Sequence, residues 1–175
     1  SNLVSNAGVV ASDTSGVGTA RYGLGSATYG TDKAIFAYGV AGGPNLSMSN
    51  LCNSSGVIAT DVSGVGTVRY ETAAAGYGST GQALFAYGYG SGNLSVSNLV
   101  SNVGVVASDT SGVGSARHGV AAASYGGDKA IFGFGNIWPN KQGITNLVSN
   151  TGVVATDTAA VGTARFAPGA AGYSI

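Results

Sequence analysis

The residues best suited to chemistry are aspartates and arginines that recur at fixed intervals. Aspartate fills one position in four copies of a repeated segment: Asp13, Asp61, Asp109 and Asp157. Arginine follows eight residues later in each copy: Arg21, Arg69, Arg117 and Arg165. The aspartates could be calcium ligands or a ring of ligand-binding groups, but calcium loops draw several oxygen ligands from nearby positions, and DTSGVG carries a single carboxylate. We therefore expect the aspartate to cap a turn, and the arginine to pair with it or with backbone carbonyls.

The other reactive side chains do not assemble into a catalytic or metal site. His118 is the single histidine and takes a position that is aromatic in the other copies, while Cys52 is the single cysteine and takes a valine position. A zinc site or a histidine-based triad needs further partners, and a serine without a base is only a hydroxyl. No glycine-rich phosphate motif is present either. The sequence therefore predicts a protein that is not an enzyme and uses no cofactor.

One irregular loop at residues 136–142 interrupts the repetition. It contains the single tryptophan, Trp138, together with Asn136, Asn140 and Lys141. A tryptophan beside amides suits stacking on a sugar or on a partner's surface. Alternatively, Trp138 plugs a gap where the ring or stack ends. These four residues are the candidate ligand or partner contacts.

Composition excludes several classes of partner. Charged residues make up only 8% of the chain, against about 25% in typical soluble domains, and the net charge is zero. A nucleic-acid partner needs a basic stripe, which this sequence lacks. No run of about 18 apolar residues is present either. We expect neither nucleic-acid binding nor a membrane span.

The elements that position these residues repeat every 48 residues. Three units cover residues 1–48, 49–96 and 97–144, and a partial fourth covers 145–175, so we treat residues 1–175 as a single repeat domain. Valine, threonine and tyrosine are frequent, glycine recurs, and no helical stripe persists. The pattern predicts an all-β fold with strands at residues 2–11 (broken at 6–8), 17–22, 26–29 and 33–38, and a turn at 13–16.

The strand at residues 33–38 is apolar on both faces. Alternation places Ala34, Phe36 and Tyr38 on one side and Ile35 and Ala37 on the other. A strand of this kind belongs to a sheet that is covered on both faces. Propeller blades and stacked solenoid coils both meet this requirement.

The order of parts resembles the kelch-type repeat. The parts are Arg21, a short strand at residues 26–29, an aliphatic-aromatic strand at 34–39 and a strand at 57–61 that ends in Asp61. The resemblance implies four-stranded antiparallel blades arranged as a small β-propeller; the alternative is an open β stack or solenoid that assembles into a fibre. In its glycine and alanine content the chain also resembles phage structural and bacterial surface repeats.

The partial fourth unit bears on how such a ring closes. It stops before a strand of the KAIFAY type. We expect the N-terminus, a larger ring or a neighbouring subunit to complete that blade.

These patterns together predict a non-enzymatic structural repeat protein of an extracellular particle, either a virion or a cell surface. Its expected partners are other copies of itself or a longer precursor. The alternative function is a lectin-like propeller module that binds glycans.

Overall fold

The computed structural model describes residues 1–172, and this part of the chain is all-β. It forms three antiparallel three-stranded sheets and one hairpin. The strands are β1 (Gly25–Tyr29), β2 (Lys33–Ala37), β3 (Ser49–Cys52), β4 (Ala73–Tyr77), β5 (Gln82–Tyr89), β6 (Asn93–Val100), β7 (Ala121–Tyr125), β8 (Lys129–Gly133), β9 (Asn136–Ile137), β10 (Asn140–Lys141) and β11 (Thr145–Val148). The sequence prediction of an all-β fold is confirmed.

Each sheet combines strands from two consecutive repeat units. Layer 1 has the order β1-β2-β3, layer 2 the order β4-β5-β6, and layer 3 the order β7-β8-β11. In layer 1, β1 and β2 come from the first unit, whereas β3 belongs to the second. A returning segment then bridges to β3, through Ile58 to Cys52 and through Val62 to Ser49. We call β3 with its returning segment (residues 49–62) an arm; the others are residues 1–14, 97–110 and 145–158.

Two of the predicted strands are confirmed, and one is wrong. The segments at 26–29 and 33–38 match β1 and β2. The stretch at 2–11 folds back at residues 6–8 and pairs Val4 with Val10. Residues 17–22 form no strand; in this segment only Tyr22 is bridged. The chain bends there because Gly18 has a φ of 75°, and a Cβ at this position would collide with Asp61.

The apolar core lies between the layers. One cluster joins layers 1 and 2, and a second joins layers 2 and 3. The central strand β5 is buried on both faces over six consecutive residues, from Ala83 to Gly88. This confirms, for the middle layer, the prediction of a strand covered on both sides.

The predicted alternation of β2 fails at its last aromatic residue. Tyr38 has a φ of 65°, in the left-handed region that a tyrosine rarely adopts. Its ring packs edge-to-face on Phe85 of layer 2, with centroids 5.4 Å apart, whereas Phe36 lies on the opposite face of layer 1. The same φ occurs at Tyr87 and Phe134. This repeated reversal places a phenylalanine on one face of each layer and a tyrosine or phenylalanine on the other.

The layers are in direct contact along the edge formed by β1, β4 and β7. Small residues line this edge, and the Ser124 hydroxyl donates to the Gly76 carbonyl across it at 2.8 Å. We call the segment between an arm and the next sheet a connector; residues 15–24 and 63–72 are two of them. Successive connectors are also joined directly, since Glu71 N–H donates to Gly23 O at 2.7 Å. At the arms, by contrast, a leucine side chain separates the layers, as Leu51 does against Gly104. No closed barrel or propeller is found among residues 1–172.

Candidate functional site

The polar residues of the repeat meet in a network between consecutive repeat units, and an asparagine stands at its centre. Asn98 is fully buried. Its amide oxygen accepts a hydrogen bond from Arg69 Nη2 at 2.7 Å. Its amide nitrogen donates to Asp109 Oδ1 at 2.8 Å and to Ala107 O at 3.0 Å. Asn98 therefore ties a cation, an anion and a backbone carbonyl together in one place. Sequence reasoning missed this asparagine, although its recurrence at 48-residue spacing was visible.

The aspartate caps the connector of the preceding unit rather than its own turn. Asp109 accepts from the backbone N–H of Thr67 at 3.0 Å and from the Thr67 hydroxyl at 2.6 Å. Asp61 accepts from Thr19, and Asp157 from Ser115, in the same way. We expected the aspartate to cap its own turn, and this was wrong. Its partner is a residue of the previous unit's connector, because the aspartate's arm packs beside that connector.

The arginine is also used between units. Arg69 is fully buried, and its guanidinium stacks over the Tyr38 ring at 3.8 Å from the centroid. It donates to the Thr67 carbonyl at 3.1 Å. The ion pair of Arg21 is with Asp61, at 3.7 Å, in the following unit, and Arg21 also donates to Tyr38 O at 2.8 Å. Stacking and carbonyl contacts offset the cost of burying the charge.

The network changes the acidity of its members. Hydrogen bonds from Asn50 and Thr19 hold the pKa of Asp61 below its ordinary value. Burial lowers the pKa of the Arg69 guanidinium, and burial raises the pKa of the Tyr38 phenol. The Asp61 shift therefore comes from hydrogen bonding, and the Arg69 and Tyr38 shifts come from burial.

The first and last copies of the repeated residues lie outside a complete network. Asp13 accepts from the exposed Asn2 at 2.8 Å, within the first arm. At the other end Arg165 stacks over Phe134 at 4.5 Å, and its Nε donates to Thr163 O at 3.1 Å. The structure thus places the predicted Asp13 and Arg165 at opposite ends of the layers.

The irregular loop forms a small hairpin from β9 and β10. Trp138 is 81% exposed, so it fills no gap among the described residues. Asn140 and Lys141 are exposed beside it. Asn136 is different: it is buried, and its backbone exchanges hydrogen bonds with His118. The structure therefore groups Trp138 with Asn140 and Lys141 and separates Asn136 from them.

A row of aromatic rings crosses the layers near this hairpin. Each ring contacts the next edge-to-face, in the order Tyr70, Tyr89, His118, Phe166. The successive ring centroids are 5.8, 5.3 and 5.6 Å apart. His118 Nε2 also lies 3.8 Å from Glu71 Oε2. The row was not predicted, but the aromatic character of the repeat position shared by Tyr70, His118 and Phe166 was a usable signal.

Searches for other sites and for relatives gave no matches. Residues 1–172 contain no group of three or more side chains suited to hold a metal ion. Within the same residues, no helix has the length and apolar character to cross a membrane. No protein-family model matches the chain, and no curated protein matches it. The resemblance to kelch-type repeats therefore stays a prediction.

We expect Asn98→Ala to lower the free energy of unfolding by about 3 kcal/mol, because it removes the amide partner of the buried Arg69 guanidinium and a hydrogen bond to Asp109. Urea denaturation followed by circular dichroism measures this change. The matched control is Asn2→Ala in the exposed first arm, which we expect to cost less than about 0.5 kcal/mol. Equal losses of unfolding free energy in the two variants would contradict the role of the buried asparagine in joining repeat units.

We expect the protein to lose stability in acid. The pKa of Asp61 is lower in the folded state, so its contribution is complete above the unfolded-state pKa of about 4 and is lost as the pH falls through the lowered value. Urea denaturation between pH 6 and pH 2 should show a shallower decline for Asp61→Asn. Because hydrogen bonds cause most of the shift, the decline should persist at about 1 M salt. A decline that salt abolishes would argue against this cause.

Proposed function

We propose that the protein is a non-enzymatic structural repeat protein of an extracellular particle, a virion or a cell surface. One observation carries the proposal: the repeated charged and amide side chains are used between consecutive repeat units and join one unit to the next. Asn98, Asp109 and Arg69 illustrate this, since each bonds or stacks across a unit boundary. Residues committed to holding repeat units together support a scaffold role rather than turnover.

We further propose that the layers are blades of a β-propeller, in preference to coils of an open stack. Two different kinds of contact between the layers support this. At the β1–β4–β7 edge backbone and small side chains are in direct contact, whereas Leu99 stands between layers against Gly152 at the arms. Layers that are close at one edge and apart at the other fan out about that edge. Four antiparallel segments in each layer, three strands and a returning segment, agree with the blade of the kelch-type repeat.

A column of exposed valines supports association with other copies. Val9, Val57, Val105 and Val153 occupy one repeat position, and each is between 62% and 66% exposed. A regular apolar stripe on a surface that carries few charges favours contact with another protein surface. In an assembled particle this stripe would be covered by further copies or by a longer precursor.

We expect the chain on the outside of the source particle or cell. Antibodies raised against the 175-residue chain, visualised with gold on intact particles or cells, should label the outer surface without permeabilisation. Antibody absorbed with excess purified chain is the control and should give no label. Gold that appears only after permeabilisation would reject the extracellular assignment.

A second candidate function is glycan binding at the β9–β10 hairpin, and the 81% exposure of Trp138 favours it. An exposed indole next to Asn140 and Lys141 offers a stacking face together with hydrogen-bond donors. On a glycan array we expect Trp138→Ala to reduce any signal at least about tenfold. Tyr22→Ala, an exposed aromatic at the opposite end of the layers, is the control and should keep the signal. A signal that Trp138→Ala leaves unchanged would exclude this site.

A further inference from the structure

The outer face of layer 1 carries an apolar pocket. Its volume is about 280 Å³, and Val17, Arg21 and Phe36 line it together with Ser1. Phe36 is half-buried here, whereas its counterparts Phe85 and Phe132 are fully buried. The pocket therefore exposes a surface that the inner layers cover.

The equivalent position on layer 2 is filled by a tyrosine. The Tyr38 ring lies against Phe85 at 5.4 Å, its hydroxyl donates to Val65 O at 3.4 Å, and the Arg69 guanidinium covers its ring at 3.8 Å. Val65, Phe85 and Arg69 are the repeat counterparts of Val17, Phe36 and Arg21.

The same arrangement recurs one layer further on. Tyr87 packs on Phe132 at 5.5 Å, donates to Val113 O at 3.4 Å and lies under Arg117 at 4.2 Å. Two of the three equivalent positions therefore contain a tyrosine from the end of a β2-type strand. The third is the open pocket on layer 1.

We propose that this pocket binds the tyrosine of an extended peptide that has the repeat's own β2 sequence, of the type Lys-Ala-Ile-Phe-Ala-Tyr. The inference deepens the proposed structural function and rests on it, because it names the partner of an open layer face.

The first arm offers such a peptide a strand edge. In layer 1, β3 pairs with β2 on one side and bridges to Val62 on the other. In the first arm, by contrast, the strand pairs through its backbone with the returning segment, by the bridge of Val4 to Val10 and by Ala11 N–H to Leu3 O. Val4 is 63% exposed, although its counterpart Val100 is fully buried. An open strand edge beside exposed apolar side chains is a template for an added strand.

The edge and the pocket agree in register. Ala37 pairs with Ser49, and Tyr38 follows Ala37 directly. A peptide bound to the first arm in the same register would place its alanine opposite Ser1 and its tyrosine next. Ser1 lines the pocket. One extended peptide therefore satisfies the strand edge and the pocket together.

Arg21 prepares the pocket for an aromatic ring. Its guanidinium is already fixed by Asn50 Oδ1 at 2.6 Å and by Tyr38 O at 2.8 Å. A cation held in place by other partners can stack on an incoming ring with little loss of side-chain freedom. Most of the remaining lining residues, Val17 and Phe36 among them, are apolar and suit a neutral aromatic side chain.

The test is binding of a synthetic peptide that copies residues 30–40 to the 175-residue chain, measured by isothermal titration calorimetry. A peptide with alanine at the tyrosine position should bind at least about tenfold more weakly. In the protein, Val17→Trp fills the pocket and should weaken binding at least about tenfold. The matched control is Val161→Trp, which lies at the same repeat position at the opposite end and is 76% exposed. It should leave peptide affinity unchanged.

A second form of the experiment avoids dependence on peptide solubility. Residues 25–48 are fused before Ser1, which supplies the β1 and β2 strands at high effective concentration. Hydrogen exchange in residues 1–14 should slow at least about tenfold, and a fusion with alanine in place of the added tyrosine should give less protection. Equal protection by both fusions, or equal binding of both peptides, would overturn the proposal.

Other occupants of the face give different results. A dimer of the chain that buries Val17, and that excess peptide does not dissociate, would overturn the proposal in favour of a second copy. Failure of the peptide to bind leaves the gold-labelling result untouched. Conversely, gold confined to cell interiors would remove the extracellular assignment without altering peptide affinity.

Discussion

The contact of a buried guanidinium with a buried amide, which in turn binds a carboxylate, is the interaction on which the layered structure depends. Arg69 and Asn98 are fully removed from water, and a buried cation is tolerated only when partners surround it. Here the partners come from different units: the ring of Tyr38, the amide of Asn98 and the carboxylate of Asp109 beyond it. Losing the Asn98 amide would leave a buried guanidinium nitrogen without this partner. The network therefore links consecutive repeat units, and the stack of Arg69 on Tyr38 links layer 2 to layer 1.

The same network explains why the repeat and the layer do not coincide. The aspartate of one unit caps the connector of the unit before it, as Asp61 does for Thr19. The arm of each unit completes the sheet begun by its predecessor, so that β3 closes the sheet of β1 and β2. Cohesion thus comes from interlocking along the chain as well as from the apolar clusters between layers. An architecture of this kind can be extended by adding units, because every new unit brings the groups that the previous one needs.

The end of the layers formed by the first arm and layer 1 differs from the middle in which polar and apolar groups lack partners among residues 1–172. The first arm presents Asn2, Val4 and Asp13 in positions whose counterparts are engaged further along the chain. The face of layer 1 presents a pocket where the inner faces hold a tyrosine. The first arm and the open face of layer 1 thus carry the same residue types that meet between two inner layers. A scaffold of this kind could be extended by a further layer at this face.

The sequence by itself determined the period, the all-β class, the β1 and β2 strands and the recurrence of the aspartate and arginine. These follow from local composition and spacing, since glycine turns and apolar alternation act within a few residues. The sequence did not determine which residues these aspartates and arginines bind. That the aspartate caps a connector 42 residues earlier, as Asp109 does for Thr67, depends on how units stack.

The reversal of Tyr38 was likewise decided by tertiary structure. Alternation alone put Tyr38 with Phe36, but packing against Phe85 and beneath Arg69 holds it at a positive φ. Likewise, the exposure of Trp138 and the burial of Asn136 could not be separated from sequence, because both lie in one irregular loop. Periodicity shows which residues are equivalent. Only the contacts between layers decide which of them meet, since those contacts join residues far apart in the chain.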